Sequence, residues 1–432
     1  MANNAHLVAV RDRVLAEMAK ADVAGADPFD GLESRLFRKS GLMGFRMARL
    51  AWLQAIKRGP GWLRSLAMIP PLRNGKTLAL LQGAAGGVGL CDFRADLVAL
   101  QNDDGGWGYP FAWQARAFYA KRGQSNAIVT SFVVDALMAA GMADDDPVMG
   151  RAAVFLSRLW RDVHNVSLWA AWALHRIDPA NRLIGSAVNR VLAAQKPDGS
   201  WAYGTRSHHR FIDGFHTGYV LDLLDRFRRA GDGGMVGLDK AIGRGYGFYR
   251  AKCFDGDGFP QSFAGRDGYV DCHAVAQSIA SLCRFGAVAE AKRIADWAIE
   301  TLFDANRGVF YAGLGRFGPD RRVYMRWTQA WMVWALSIVI EKTAMIDAFD
   351  PTMPLIFSHP DPARPAKEDA LRVLSEGAFR ELFHVTRIEA QKMRASGDME
   401  ALYGLTRGLK TLQRIGGDRG IVLNARRSKV AL

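Results

Sequence analysis

A unit that recurs four times along the middle of the chain constrains its fold more than any other feature. Each unit is a polar loop that ends in an aromatic residue and is followed by an apolar stretch of helical length. The loops span 101–109, 195–203, 255–259 and 304–311, and the stretches behind them span 126–140, 213–228, 271–285 and 326–341. Repeats of this size each form one supersecondary unit, which buries its apolar face against its neighbours. The pattern therefore predicts stacked helical hairpins.

Further hairpins complete the series. A degenerate unit occupies 148–177, and residues 33–88 could supply a sixth pair of helices. The second helices of the units are apolar on nearly all sides, which is typical of helices covered all round, whereas 293–303 is amphipathic like an outer helix. We therefore predict an all-α protein, an α/α toroid of five to six helical hairpins with short loops or small strand pieces at one face.

The sequence divides into four regions. Residues 1–89 are expected to form a helical lead-in, and 90–345 the toroid core. Residues 346–366 read as a linker, because 350–366 hold five prolines and show no periodicity. Residues 367–432 are predicted to be a basic helical extension, since 364–432 contain 14 Lys and Arg against 8 Asp and Glu. The last dozen residues are expected to be disordered.

Bulk properties limit the setting and the partners. The chain has 432 residues and a formal net charge of +14, which favours an anionic partner. Its four cysteines form no CxxC pair, as expected in a reducing compartment. The sequence shows neither a signal-peptide pattern nor an apolar run of the roughly 20 residues that a membrane span needs. We expect a cytoplasmic protein, with association at the inner face of a membrane as an option.

Two loops carry a motif that resembles a known one. Residues 101–107 and 195–201 share the pattern Gln-x-x-Asp-Gly-(Gly/Ser)-Trp, which resembles the QW motif of squalene cyclases and protein prenyltransferase β subunits. Those families share an α/α toroid. The resemblance implies that Gln and Trp tie each loop to a helix end, so these residues are expected to be structural.

A narrower resemblance covers roughly residues 27–342. The segments 27–32, 109–116, 215–219 and 325–332 resemble toroid proteins of the VpsJ type, which accompany bacterial exopolysaccharide biosynthesis. The final hairpin is also similar to the helical domain of D-glucuronyl C5-epimerases. These resemblances imply an acidic glycan or a sugar-lipid as substrate. Polysaccharide synthase machinery or a membrane surface would be further partners, and nucleic acid is not favoured.

Two chemistries of the wider superfamily can be compared with the residues. Squalene cyclases use an Asp-x-Asp-Asp motif, which this chain lacks. Prenyltransferase β subunits bind zinc through Asp, Cys and His, and Asp271, Cys272 and His273 have the right types. Their order along the chain is reversed, however, and consecutive helical residues point in different directions. We therefore predict no metal site, and the sequence gives no ground for a cofactor.

Candidate catalytic residues lie where the inner helices begin. In an α/α ring these ends gather on one face, and helix N-termini favour anions. Asp213, His216 and Tyr219 are spaced three residues apart, so they share a helix face and suit proton transfer. His273 is a further acid–base candidate. The alternative is that Asp213 caps its helix and His216 is an inner histidine with a structural partner.

The candidate substrate-binding residues supply stacking and charge. Aromatic rings stack on sugar faces, and guanidinium groups bind carboxylates in a forked geometry. The predicted residues are Tyr109, Trp113, Arg116, Asp271, Tyr324, Arg326 and Gln329. For Arg326, which begins an apolar helix, the alternative is a salt bridge to Asp213 or Asp271, because an unpaired buried guanidinium is costly.

This mixture of residues favours a glycan-modifying enzyme of the epimerase or lyase type, acting on a uronic acid. Hydrolysis stays open, because Asp213 and Asp271 could act as a carboxylate pair. Two other functions remain: a non-catalytic scaffold that binds polymer or synthase, and terpenoid cyclisation or prenyl transfer.

Overall fold

The computed structural model describes residues 4–84, 92–114, 119–158, 162–231, 236–266, 268–347, 352–358, 361, 364–421 and 423. The chain divides into two compact units. The larger unit comprises residues 5–281 and 293–338, and the smaller comprises 1–4, 282–292 and 339–432. Arg116 and the end of the chain from 424 onward, for which disorder was predicted, lie outside the described residues.

Helices dominate the described residues. The α-helices are α1 (Ala5–Lys20), α2 (Arg35–Lys39), α3 (Arg46–Arg58), α4 (Gly61–Leu66), α5 (Gly75–Ala84), α6 (Arg94–Ala99), α7 (Ala127–Ala139), α8 (Pro147–Leu156), α9 (His164–Ile177), α10 (Arg182–Ala193), α11 (Gly214–Ala230), α12 (Leu238–Lys252), α13 (Cys272–Arg284), α14 (Val288–Leu302), α15 (Trp331–Asp347), α16 (Arg364–Val373), α17 (Glu376–Ser396) and α18 (Met399–Asp418). Short 3₁₀ segments lie at Asp30–Glu33, Leu42–Gly44 and Ser207–His209, and a π-helical segment at Met325–Ala330 leads into α15.

The strands are short and lie in the loops. They are β1 (Ala24–Gly25), β2 (Leu72–Arg73), β3 (Trp113–Gln114), β4 (Tyr119–Ala120), β5 (Val270–Asp271), β6 (Phe303–Asp304), β7 (Val309–Phe310), β8 (Gly313–Gly315) and β9 (Gly318–Asp320). They pair antiparallel as β1–β2, β3–β4, β5–β8–β9 and β6–β7. These are the small strand pieces that the sequence predicted.

Six helices form the inner wall of the larger unit. In order they are α5, α7, α9, α11, α13 and the π-helical segment with the start of α15. Helix α5 packs on α7, α7 on α9 and α9 on α11. The Tyr219–His273 hydrogen bond joins α11 to α13, and stacked rings of His273 and Trp331 join α13 to α15.

The ring closes where its last inner segment meets its beginning. The π-helical segment packs against α5 and β1, and the Met325 N–H donates to the Ala26 carbonyl at 2.9 Å. The predicted all-α toroid of five to six hairpins is therefore confirmed. Because the inner N-termini gather, residues that are distant in sequence become neighbours at one end of the ring.

Inner and outer helices differ in burial as their patterns predict. In α7 most side chains are buried, because neighbouring helices cover it on several sides. In the outer helix α10 only Ile184, Val188 and Val191 are buried, and they share one face. Side-chain caps fix several starts: Asn126 accepts from Val129 N at the start of α7, and Asp213 accepts from His216 N at the start of α11.

The two Gln–Trp loops are built alike. The Gln101 amide donates to the carbonyls of its own loop (Gly105, 3.0 Å) and of the next outer helix (Val148, 2.9 Å). Gln195 does the same, and Trp107 Nε1 and Trp201 Nε1 donate to carbonyls of the preceding helices at 2.7 and 2.9 Å. These hydrogen bonds tie each loop to two helices, so the four residues are structural, as expected.

The smaller unit has a core of its own. Its buried cluster consists of Leu355, Phe357, Leu371, Leu374, Phe379, Leu382, Leu412, Ile415 and Ile421. Residues 352–358 belong to the predicted linker, yet Leu355 and Phe357 are buried in this cluster and Leu355 N donates to Thr386 Oγ1. The linker prediction is corrected for these residues, because their apolar side chains pack on α16–α18. No helix in the described part of the chain combines the length and apolarity needed to cross a bilayer.

Candidate active site

Asp213 and His216 form a pair at the start of α11. Asp213 Oδ1 accepts from the His216 N–H at 2.8 Å, and His216 Nδ1 donates to Oδ2 at 2.6 Å. The carboxylate is buried, whereas the His216 side chain is 21% exposed. Among the described residues none hydrogen-bonds His216 Nε2. A donating Nδ1 leaves the Nε2 lone pair available, so this imidazole is oriented to accept a proton.

The sequence predicted that Tyr219 shares one helix face with Asp213 and His216. In the structure, Tyr219 does not contact this pair in line but points elsewhere. Its hydroxyl is hydrogen-bonded to His273 Nε2 at 2.6 Å, and the His216 and Tyr219 ring centroids are 6.0 Å apart. The long tyrosine side chain reaches across to α13 rather than along its own helix. Burial raises the pKa of Tyr219 well above its usual value and lowers that of His273 well below. Both are therefore neutral, and His273 Nδ1 is buried with no partner in the described chain.

Asp271 caps α13 and keeps one oxygen available. Its Oδ1 accepts from the His273 N–H at 2.9 Å and from Trp327 Nε1 at 2.8 Å. No described residue hydrogen-bonds Oδ2, and the residue is only partly buried. The surrounding protein nevertheless desolvates the carboxyl group, and this burial raises the pKa of Asp271 to about 6 despite the two hydrogen bonds. Asp271 can therefore both accept and donate a proton near neutral pH.

Five partly exposed aromatic residues surround these groups: Phe29, Tyr109, Trp113, Phe215 and Trp327. We call them the aromatic mouth. Phe29 lies between Trp113 and Trp327, with ring centroids 5.7 and 5.4 Å away. Phe215 joins Trp327 at 5.9 Å, and Trp113 joins Tyr109 at 6.2 Å. Rings from four separate parts of the chain thus meet at one end of the ring of helices.

The mouth and the ionisable groups adjoin each other. The Phe215 ring lies 3.9 Å from the His216 ring and 4.7 Å from that of His273. His273 in turn lies 4.4 Å from Trp327, whose Nε1 holds Asp271. The structure therefore brings Asp213, His216, Tyr219, His273, Asp271, Tyr109 and Trp113 together.

Arg326 lies beneath the mouth but is already paired. Its Nε and Nη2 donate to the two oxygens of Asp27 at 2.6 and 2.9 Å, and both side chains are buried. Its guanidinium also lies over the rings of Tyr109 and Trp327. The predicted role in binding a substrate carboxylate is corrected, because Asp27 already occupies the forked donors. The partner is neither Asp213 nor Asp271.

Tyr324 and Gln329 do not reach the mouth. Gln329 is buried, and its amide exchanges hydrogen bonds of 2.8 and 2.7 Å with the backbone of Phe310. This clamp resembles those of Gln101 and Gln195, so the predicted substrate-binding role is replaced by a structural one. Tyr324 is buried against the Arg64 guanidinium, 5.8 Å from the ring centre, and has no ring contact with the mouth.

Two lysines at the site escaped the sequence analysis. Lys57, at the end of α3, lies over the Phe29 ring at 4.7 Å, and Asp271 is the carboxylate whose charge most favours the protonated form of this lysine. Lys76 is buried inside the ring, with its ammonium 3.9 Å from the Phe132 ring centre and 5.2 Å from that of Trp331. Burial lowers the pKa of both lysines. The sequence could have indicated Lys76, because a lysine stands at the start of the otherwise apolar stretch 76–85.

A small cavity lies beside the Asp213–His216 pair. Its lining includes His164, Asn165, Tyr203, Asp213 and His216. Asn165 Oδ1 is buried and has no hydrogen-bond partner in the described chain. The cavity volume of about 10 Å³ corresponds to roughly one water molecule. A hydroxyl group or water placed there would donate to Asn165 next to His216.

The zinc ligands of prenyltransferases have no counterpart that fits. Burial raises the pKa of the Cys272 thiol well above its usual value, so the thiol stays protonated, and Tyr219 already occupies His273 Nε2. Within the described residues no group of three His, Cys, Asp or Glu side chains is arranged to hold a metal ion.

Comparisons with known proteins assign neither a family nor an activity to this chain. No protein-family model matches the chain, and no curated protein matches it in sequence. Among solved structures, it is similar to the crystal structure of a D-mannose isomerase. That similarity has a TM-score of 0.46 and a sequence identity of 11%, and it covers 62% of this chain and 88% of that chain. The chemistry of the site therefore rests on its own residues.

Proposed function

We propose that this chain is a carbohydrate-modifying enzyme of acidic exopolysaccharide biosynthesis that moves a proton at C5 of a uronic acid. It would act as an epimerase or a lyase. The observation that carries the proposal is the presence of two different proton-transfer groups at one aromatic mouth. His216 is oriented by Asp213, and Asp271 has a pKa of about 6 and an available oxygen.

The surroundings of these groups suit a sugar acid. Partly exposed rings of Phe29, Trp113 and Trp327 offer apolar faces on which a sugar ring can stack. Lys57 supplies positive charge beside Phe29. Arg326 cannot bind a substrate carboxylate, because its guanidinium is already paired with Asp27. A carboxylate held near Lys57 would place the adjacent carbon close to Asp271.

The reaction would divide the proton transfers between two groups. His216 Nε2 accepts the C5 proton, and the electron pair passes into the sugar carboxylate as an enolate, which Lys57 stabilises. In an epimerase, protonated Asp271 then donates to the opposite face of C5. In a lyase, the electron pair instead expels the substituent at C4, to which Asp271 donates its proton.

Three alternatives have less support from the geometry. Glycoside hydrolysis needs two available carboxylates, yet both Asp213 oxygens are bonded to His216. Terpenoid cyclisation needs an empty aromatic interior, yet the Lys76 side chain places its Nζ between the rings of Phe132 and Trp331. No contact among the described residues of the site favours a scaffold role.

Hydrogen exchange at carbon tests the proposal. The full chain is incubated in D₂O with oligosaccharides that contain uronic acids, and deuterium at C5 is followed by NMR. We expect incorporation by the unaltered protein and a loss of about 100-fold or more in His216→Ala and Asp271→Asn. His384→Ala, which changes a histidine in the smaller unit, serves as the matched control. Absence of exchange and of unsaturated product with every uronic acid tested would contradict the proposal.

A further inference from the structure

One long stretch of the chain lacks acidic residues. Residues 34–91 contain ten Lys and Arg residues and no Asp or Glu. The described part of this stretch includes α2, α3 and α4, which follow one another on the larger unit. The local charge is therefore far more positive than that of the chain as a whole.

The same stretch exposes large apolar side chains. Of the twenty such exposed residues in the described chain, seven lie between 36 and 68: Leu36, Leu42, Phe45, Met47, Trp62, Leu66 and Met68. Phe45 and Met47, at the start of α3, are 65% and 69% exposed. Trp62 and Leu66, 65% and 61% exposed, are four residues apart on α4 and so share a face. Such a concentration marks an interaction surface.

Several cations here are not neutralised by the protein. Arg35 and Lys39 on α2 and Arg58 at the end of α3 are exposed and form no ion pair with any described residue. Others in the stretch are engaged: Arg64 pairs with Asp30, and Arg49 donates to Gln114. The unpaired cations therefore lie on the helices that also expose the apolar side chains.

We propose that residues 35–68, the basic segment, dock this protein on an anionic lipid surface. Exposed Trp, Phe, Met and Leu side chains would enter the interface between headgroups and acyl chains, and Arg35, Lys39 and Arg58 would contact anionic headgroups. A second copy of this chain is a poorer occupant, because two such segments face to face would oppose positive charge with positive charge. The proposal does not depend on the sugar chemistry.

Helix α3 would connect the docked surface to the aromatic mouth. Phe45 precedes α3 and Met47 lies in its first turn, whereas Lys57, which lies over Phe29 of the mouth, is in its last turn. A sugar attached to a membrane lipid would then be a natural substrate form.

Co-sedimentation of the full chain with vesicles tests the proposal. Vesicles of phosphatidylcholine alone are compared with vesicles that also contain phosphatidylglycerol, at low and high salt. We expect binding to the anionic vesicles only, weakened by salt. The double variant Trp62→Ser/Leu66→Ser should lower the partition coefficient about tenfold, and Arg35→Glu/Lys39→Glu/Arg58→Glu should abolish binding.

Control variants change exposed residues elsewhere on the chain. Val154→Ser/Phe317→Ser removes two apolar side chains that are 74% and 98% exposed, and Arg182→Glu/Lys240→Glu reverses two exposed cations. Both should bind as the unaltered protein does. Equal binding to neutral and anionic vesicles, no binding, or equal losses in the controls would overturn the proposal. So would a Trp62→Ser/Leu66→Ser variant that converts a dimer to a monomer but keeps its vesicle binding.

Discussion

Two carboxylates near the mouth, Asp27 and Asp271, have opposite surroundings. Asp27 is buried and gives both oxygens to Arg326, and it also accepts from the Phe29 N–H. Asp271 gives one oxygen to neutral N–H donors and leaves the other without a partner in the described chain. A carboxylate whose oxygens are both matched by a guanidinium holds the ring closed, whereas one left half-satisfied and desolvated is suited to proton transfer. We therefore expect substitutions at the Asp27–Arg326 pair to change stability and substitutions of Asp271 to change turnover.

Substitution of Arg326 should weaken folding more than any other change considered. Arg326→Met leaves Asp27 buried without its partner at the point where the ends of the ring meet. We expect the free energy of unfolding to fall by about 3–5 kcal/mol, the usual cost of breaking a buried pair from one side. Chemical denaturation followed by circular dichroism measures it.

An exposed pair provides the control for this variant. Asp162→Asn breaks the surface pair of Asp162 with Arg206, and we expect a change of at most about 1 kcal/mol. If Arg326→Met unfolded at the same denaturant concentration as Asp162→Asn, the closing role of the buried pair would be refuted.

Asp271→Asn should affect catalysis and spare the fold. The amide oxygen still accepts from His273 N–H and Trp327, but the group no longer transfers a proton. We expect turnover to fall by about 100-fold with the circular dichroism spectrum unchanged. A variant that lost stability as Arg326→Met does, while the folded fraction kept its turnover, would reverse the roles assigned to the two carboxylates.

Substitutions of Asp213 separate orientation from capping. Both Asp213→Asn and Asp213→Ala remove the carboxylate from His216, so each should slow turnover at least about tenfold. Only the alanine variant also loses the N-cap of α11, which should lower the free energy of unfolding by about 1 kcal/mol relative to the asparagine variant. Equal stabilities would show that the capping bond contributes nothing.

The smallest effect concerns pH. Burial raises the pKa of Asp271 to about 6, so the folded protein holds this proton more tightly than the unfolded chain. The resulting stability is fully present below about pH 4, the pKa of an unperturbed Asp, and is lost as the pH rises through about 6. Asp271→Asn should therefore reduce the loss of folding stability between about pH 4 and pH 6. Burial also raises the pKa of Asp30 to about 6, so part of the pH-dependent loss of stability should persist in this variant. An unchanged pH profile of stability would contradict the raised pKa of Asp271.

The architecture and part of the site follow from local patterns. The loop-and-helix repeats predict the ring because each hairpin must bury its apolar face on the next. The i, i+3 spacing of Asp213 and His216 predicts their contact, since helix geometry alone places them together. Matching Gln-x-x-Asp-Gly loops predict matching hydrogen bonds for Gln101 and Gln195.

The remaining contacts depend on how the ring closes. Asp27 and Arg326 are 299 residues apart, so no local spacing connects them. Tyr219 finds His273 because α11 and α13 are neighbours in space, and Lys57 reaches Phe29 from a helix assigned only to a lead-in. Phe215 and Trp327 lie within the motif segments 215–219 and 325–332, but their place at the mouth depends on the relative rotation of adjacent helices, which sequence periodicity leaves undetermined.

A crystal structure of Asp271→Asn with a bound uronic acid oligosaccharide tests the proposed proton transfer between His216 and Asp271 most directly. We expect a sugar ring stacked on the aromatic mouth, its carboxylate near Lys57, and its C5 between His216 Nε2 and the side chain of residue 271. An oligosaccharide bound elsewhere, with His216 and residue 271 both out of reach of C5, would contradict it.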